Sequence, residues 1–308
     1  MKKALYIIYI VIALFTINCY SQFSKTHYLP PLSNSDSQDP QGQFIYISCP
    51  SVTPISFVIQ EIGGTTITGT VSRDTPYIYN IGNGFDSQLL ISSSDVSTIK
   101  NNKGYIINAQ DLIYANVRLT STTQNFQAGG IVSKGSAALG THFRIGGFIN
   151  TGVQTTSNNH YTFATILATE NNTTISFADI KPGVQLINNT AAGSNPASIV
   201  LNAGESYAIA VQGPTNGNRD GLIGASITSD KPIAVNCGSF AGSNGTSSNL
   251  DLGMDQIVSA ERTGMEYIFI KGSGLDVTER PLLIADLDNT DIFLNGSTTP
   301  FITLNSGE

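Results

Sequence analysis

Three carboxylates fall within six residues at Asp286-Leu-Asp288-Asn-Thr-Asp291, a density that could offer hard oxygen ligands to Ca²⁺. No Gly sits where an EF-hand loop needs one. The chain also carries its own control. Reading 117 residues upstream, the same pattern has Thr169, Asn171 and Thr174 at those positions, which would bind a cation poorly. A polar turn is the expected role, and no metal site is assigned. The three histidines lead no further. His27 and His142 sit in matching contexts, Thr-His-Tyr28 and Thr-His-Phe143, and Glu266 takes the place in a third copy, so the position reads as scaffold. His160 ends a polar run, Ser157-Asn-Asn-His160, and is expected to be exposed.

The chain has no HExxH, GxSxG or Walker A pattern. Gly82-Asn-Gly84 and Gly272-Ser-Gly274 each lack the third Gly of a dinucleotide fingerprint and lead into no helix. Asn216 to Gly221 reads as a tight loop. Sugar sites often use Trp faces, and this chain has none; its 12 Tyr could substitute, but those in PYIYNI and HYLPPL lie within strand patterns. Asp230-Lys231-Pro232 looks like a charged tip between two apolar runs. Its counterpart is Gln110-Asp111-Leu112, inside GYIINAQDLIYAN against GASITSDKPIAVN, so the apolar frame recurs while the charges do not. No catalytic residue, binding residue, metal or cofactor is assigned from these patterns.

The elements that would position such residues are repeated. Lys25-Thr-His-Tyr28, Gly140-Thr-His-Phe143 and Gly264-Met-Glu-Tyr267 each open a strand-like run. ATILATENNTTISF from Ala164 matches LLIADLDNTDIF from Leu282, and LNAGE from Leu201 matches LNSGE from Leu304. Gly69 to Tyr79, GTVSRDTPYIY, is a weaker first copy of the segment from Ser198. The unit is about 115 to 125 residues long. The second unit reads as four hairpins: Tyr161–Thr169 with Thr173–Asp179, Ser198–Asn202 with Glu205–Gln212, Gly221–Ser229 with Pro232–Ser239, and Gln256–Ala260 with Met265–Lys271. Turn residues mark each reversal. Val184–Asn188 could add a short strand.

Four hairpins make two four-stranded sheets. The expectation is an all-β chain, β-propeller-like, with six blades if completed. FATILAT is apolar at most positions, as a sheet packed between two neighbours requires. THYLPPL matches the last strand of a blade yet opens the chain, as in rings closed by a displaced strand. The third unit breaks off at Gly307-Glu308, which reads as a truncated chain. The alternative is a tandem of β-sandwiches. Units are expected at about 23–130, 131–256 and 257–308, the last incomplete.

Lys2 and Lys3 followed by the apolar run Ala4–Phe15 read as a secretory signal peptide, residues 1–22, too short to span a membrane comfortably. No membrane span is expected after its removal. The rest holds 13 basic and 22 acidic residues with no basic stripe, so nucleic acid is not an expected partner. Charged residues make up only 12%, which suits stacked β structure. Only Cys49 and Cys237 remain, in non-equivalent repeat positions. A single bridge is possible, and no disulfide framework is expected.

FATILATENNTTISF, LNAGESYAIAV, GLIGASITSDKPIAVNCGSF and MDQIVSAERTGMEYIFI together resemble the N-terminal domain of the IgGFc-binding protein family. FSKTHYLPPL and VSRDTPYIYNIG resemble its bacterial, flavobacteria-like members. The resemblance runs from about Phe23 to Glu308 and rests on strand-and-turn patterns, which identify family better than mechanism. It implies a large extracellular protein whose N-terminal module binds or scaffolds, with relatives that end in gliding-motility or sorting domains. It carries over no residue for Fc binding. The combined expectation is a non-catalytic, secreted or cell-surface adhesion or recognition module with an extracellular protein or glycan ligand. A glycan-acting hydrolase and a structural stalk repeat are the alternatives. A converging Asp or Glu pair would mark the hydrolase.

Overall fold

The computed structural model describes residues 22–33, 40–120, 128–150, 160–189, 195–212, 218–243, 251–276 and 279–308. The expected signal peptide, the run 157–159 and the start of the 216–221 loop lie outside the described residues, as does the side chain of His160. The first nine strands are β1 (Ser24–Leu29), β2 (Leu32–Ser33), β3 (Gly42–Ser48), β4 (Ile55–Glu61), β5 (Thr66–Val71), β6 (Tyr77–Gly82), β7 (Leu90–Ile91), β8 (Tyr105–Thr120) and β9 (Gly129–Val132). The second set is β10 (Gly140–Arg144), β11 (His160–Ala168), β12 (Thr173–Ala178), β13 (Ile199–Leu201), β14 (Ser206–Gln212), β15 (Ser226–Gly242) and β16 (Asp251–Ile257). β17 (Thr290–Ile292) and β18 (Ile302–Leu304) follow. Among the described residues helix appears only as short 3₁₀ turns, so the all-β expectation holds.

Each of the first two units is one curled seven-stranded sheet built around a single long strand. The order is β5-β4-β8-β3-β6 with β1 and β9 also on β8, and β13-β12-β15-β11-β14 with β10 and β16 also on β15. The first half of β8 carries β1 and β4, and its second half carries β3 and β9. β15 divides its partners in the same way. Two four-stranded halves therefore fold over a common core and share one strand.

This corrects the hairpin reading. GASITSDKPIAVN contains no reversal. β15 runs through Asp230-Lys231-Pro232 as one strand, and the charged tip is a bulge where the strand turns a corner. Opposite it, β10 passes from Gly140 to His142 while β15 passes from Ile233 to Thr228. The first unit has the same irregularity, Ser24 to Thr26 against Ile113 to Asn108. A bulge of this kind bends a strand out of one sheet and into another, and Pro is tolerated there because the ladder is already broken. Asp230 Oδ1 accepts from Thr174 N at 2.8 Å, and Thr169 Oγ1 donates to Pro232 O at 2.6 Å. The tip is scaffold.

The first two expected hairpins are arches between half-sheets. β11 does not pair with β12; it pairs with β14 and β15, while β12 pairs with β13 and β15. The turns were placed correctly, but the strand partners are not local. Asn172 (φ 54°) and Gly204 (φ 82°) take the left-handed conformations these arches need. Asn289 (φ 56°) and Gly307 (φ 80°) repeat them. The third unit repeats the register as well: Thr290 opposes Leu304 as Thr173 opposes Leu201. Met265–Lys271, read as a strand, pairs with nothing among the described residues, and Met265, Ile268 and Ile270 are exposed. Val184–Asn188 contributes an isolated bridge, Leu186 to Val211.

β11 is buried on both faces, as its composition predicts. Ala164, Ile166 and Ala168 face the second unit's own core, with Phe177, Ile209 and Ile227. Phe163 faces the other way with Ala208 and Ala210, into the core of the first unit beside Leu32, Leu90 and Val96. Burying a side chain such as Phe163 contributes about 1.5–3 kcal/mol, so the two units are held together by core packing.

Candidate binding face on the first sheet

Strand alternation sends Ile45, Ile47, Val117 and Leu119 into the core and turns their neighbours outward. The outward rows follow from the register. Ile78, Tyr46 and Asn116 lie across one row, and Asn80, Phe44 and Arg118 across the next. Ser48 opposes Tyr114 further along. Phe44 and Tyr46 meet edge to face with ring centroids 6.1 Å apart. The Arg118 guanidinium lies 5.6 Å from the Tyr46 ring centroid, a cation–π contact. Phe23 packs 6.0 Å from Tyr114 at the margin. Beside these residues, between β8 and β9, is a hollow of about 540 Å³ lined in part by Tyr114, Asn116, Arg118, Gly130 and Val132.

The second unit shows what this face does when it is covered. By pairing, Phe163 corresponds to Phe44, Thr165 to Tyr46, Ala208 to Ile78, Ala210 to Asn80 and Gly238 to Arg118. There Thr165, Ala208, Ala210 and Gly238 are small, Phe163 inserts into the first unit's core, and the first unit's backbone lies across the face. Asn236 Nδ2 donates to Pro30 O at 2.8 Å, Gln256 Nε2 to Tyr28 O at 2.7 Å, and Thr165 Oγ1 to Pro31 O. On the first unit the same position carries bulky aromatics and an exposed cation, and Ile78 is 55% exposed. Sequence reasoning missed this face because its residues look like ordinary strand residues. The signal that could have found it is the contrast between units: large residues where the repeat has Ala, Thr and Gly.

The clustered carboxylates weighed from sequence have structural partners. Asp286 accepts from Arg144 Nε at 2.9 Å and lies 3.3 Å from His142 Nε2. Asp288 accepts from Ser306 N at 3.0 Å, the task that Asn171 performs for Ala203 N at 3.1 Å. Asp291 accepts from Thr303 Oγ1 at 2.6 Å. The three carboxylates point to separate partners. Among the described residues, no group of three or more His, Cys, Asp or Glu is placed to hold a metal ion.

His27 is fully buried, with Nε2 3.1 Å from Ile113 O and Nδ1 2.9 Å from Ser133 Oγ. A carbonyl only accepts, which puts the proton on Nε2; the Ser133 hydroxyl has one hydrogen for two acceptors, Nδ1 and Gln256 Oε1 at 3.1 Å. Burial pulls the imidazole pKa below its ordinary value despite the bond to Ile113 O. A Ser–His pair could be read as a nucleophile and base, but both residues are sealed from solvent. Cys49 and Cys237 are buried free thiols, so the possible bridge is not formed.

A family model described as IgGFc binding protein matches residues 128–308, from just before β9 to the last residue. The open face of β3, β6 and β8 precedes that span. No curated protein and no solved structure matches the chain.

Proposed function

The chain belongs to the IgGFc binding protein family, and on that premise we propose that it is an extracellular recognition module that engages a protein ligand through the open face of its first sheet. The observation that carries this reading is the contrast between units: Phe44, Tyr46, Ile78 and Arg118 are open where Phe163, Thr165, Ala208 and Gly238 are covered. Aromatic residues and Arg are enriched in protein interfaces and at their hot spots, and the aromatic rings lose little entropy when a ligand orders them. The apolar leader Ala4–Phe15 supports export, and cell-surface adhesion is the role proposed for the exported chain. No helix among the described residues is long and apolar enough to cross a membrane. Asp286, Asp288 and Asp291, each bonded to a different structural partner, give a hydrolase no support.

The repeat supports a row of two-sheet units over a ring of separate blades. A propeller blade owns all its strands, whereas β8 and β15 each serve both halves of a unit. We place the end of the first unit after β9 and of the second after β16, with the third unit beginning beyond Ile257.

The family description names IgG Fc, which makes Fc the first ligand to test. Immobilised Fc, with Fab as control, should retain the protein in an interferometry assay. Tyr46→Ala and Arg118→Ala should each weaken binding by about 30-fold if they are hot spots, with melting temperature unchanged. Fc binding that survives both substitutions removes the ligand from this face. No Fc binding by the unaltered chain removes Fc as the ligand.

A further inference from the structure

Among the described residues, β6 ends its half-sheet and pairs only with β3. Its counterpart β14 does not end in solvent. Ser97 N donates to Ala208 O at 2.9 Å, Lys100 and Ser206 exchange two bonds of 2.8 Å, and Ile187 N donates to Ala210 O at 2.9 Å. The main-chain groups of Ser206, Ala208 and Ala210 therefore point away from β11, and short stretches of chain complete the ladder. Ile78 and Asn80 occupy the positions of Ala208 and Ala210. Among the described residues, no backbone hydrogen bond from outside the sheet reaches either of them.

Open edges are usually guarded by charge, Pro or a bulge. Tyr77-Ile-Tyr-Asn-Ile-Gly82 has no charge and no Pro, its one bulge at Ile81 lies beyond Ile78 and Asn80, and its β-branched and aromatic residues favour extended pairing. We propose that a second copy of this chain covers this edge, β6 against β6, about a two-fold axis at Tyr79. Antiparallel pairing with Tyr79 opposite Tyr79 of the second copy sets Ile78 against Asn80 in both directions. That arrangement satisfies four main-chain groups on each strand with one self-complementary register. Tyr79 turns to the opposite side of the sheet, where its hydroxyl donates to Glu61 Oε1 at 2.7 Å, so it is not displaced. Closed two-fold dimers are the commonest oligomers, and an isologous contact needs only the one edge.

Residues directly opposite in an antiparallel pair point to the same side of the sheet. The outward rows of the two copies therefore join into one continuous face, with Phe44, Tyr46 and Arg118 presented twice. Such a dimer would bind a repetitive or two-fold ligand with avidity beyond that of one site. Self-association does not depend on the ligand reading, and it is measured without any ligand.

The test is sedimentation equilibrium of the unaltered protein over about 1 to 100 µM, where a dissociation constant of about 10 µM would show clearly. Ile78→Lys places charge on the edge without altering the backbone, and Asn80→Pro removes a donor. Both should give monomers across the range, with Ile78→Lys retaining the parent melting curve. Tyr46→Ala should still dimerise, because its side chain leaves the edge free. A chain that is monomeric throughout overturns the proposal, as does a dimer that survives Ile78→Lys.

Discussion

His27 and Phe143 hold the same place in successive units: His27 opposes Ile107 across β1 and β8, and Phe143 opposes Ile227 across β10 and β15. Ile107 and Ile227 are repeat equivalents, as are the bulges beyond them. The sequence pattern Thr-His-Tyr/Phe pairs His27 with His142 instead, one residue out of step. In a strand that slip moves a side chain to the opposite face. His142 accordingly lies partly exposed beside Asp286, while His27 is sealed in the core.

A buried neutral imidazole makes stability depend on pH. Because His27 is held below its ordinary 6.5, the unfolded chain binds a proton that the folded chain refuses. Its contribution is complete above about pH 6.5 and is lost as the pH falls below that value toward the lowered folded-state pKa. His27→Phe should cost about 1–3 kcal/mol at pH 7.5 by leaving Ile113 O without its buried partner, while Ser133 keeps Gln256. It should also flatten the loss of stability between pH 6.5 and 5. Urea unfolding of both proteins at several pH values checks this, and equal slopes would remove His27 as the cause.

Gly238 and Arg118 are a second pair of equivalents with opposite demands. Gly238 has φ of 145°, and a Cβ there would lie 2.2 Å from the Gly253 carbonyl oxygen. Gly238→Ala should therefore cost about 2 kcal/mol or more, because the obstacle is backbone. Arg118 is exposed, and Arg118→Ala should change stability by less than about 1 kcal/mol. Thermal unfolding of the two variants side by side distinguishes a backbone position that only glycine fits beside β16 from an open surface position.

The thiols should be inert in the native chain. Burial pushes Cys237 up to about 12, which leaves almost no thiolate at neutral pH even though Gly146 N donates to its sulfur at 3.3 Å. Cys49 is buried, with Sγ donating to Val71 O at 3.6 Å. A chromogenic disulfide reagent should react with neither in buffer and with both in denaturant. Rapid reaction in buffer would mean that the half-sheets open far more often than their packing implies.

Much of the fold was legible because turn chemistry and apolar runs are local. The arches at Glu170–Asn172 and Ala203–Gly204 lie where Asn and Gly fall in the sequence. The double-sided burial of Phe163–Ala168 was visible as an unbroken apolar run. Strand partnership was not legible, because an apolar run states that a strand is buried and not which strand lies beside it. Asp230-Lys231-Pro232 has turn composition for a different reason, since a bulge at a corner is also exposed and also free of ladder bonds. The open face on β3, β6 and β8 was not legible either. Whether Tyr46 is core or surface depends on whether a neighbouring unit covers it.

Arg144 is the residue on which the third unit's docking turns. It projects from β10 with its side chain 12% exposed. Nε donates to Asp286 Oδ1 at 2.9 Å, Nη1 to Asp179 Oδ2 at 2.6 Å and to Gly224 O at 3.1 Å, and Nη2 to Ser306 Oγ and to Asp286 O at 3.3 Å. Burial alone would lower its pKa, but the bonds to Asp286 and Asp179 outweigh that and raise it. The guanidinium thus ties the second unit to both arches of the third. Lys could not span these partners, since it lacks the planar fork. Arg144→Met should cost about 1–3 kcal/mol, the lower part of that range if water reaches Asp179. The loss should be local. The amides of Ala285 and Gly307, bonded to Glu308 O and Ala285 O at 2.9 Å, should exchange about 10 to 100 times faster, while that of Ile166 in β11 keeps its protection. Arg144→Lys should fall closer to Met than to the parent. If exchange at Ala285 and Gly307 is unchanged in both variants, the backbone approach of Gly307 to Gly224 is sufficient and the arginine is dispensable.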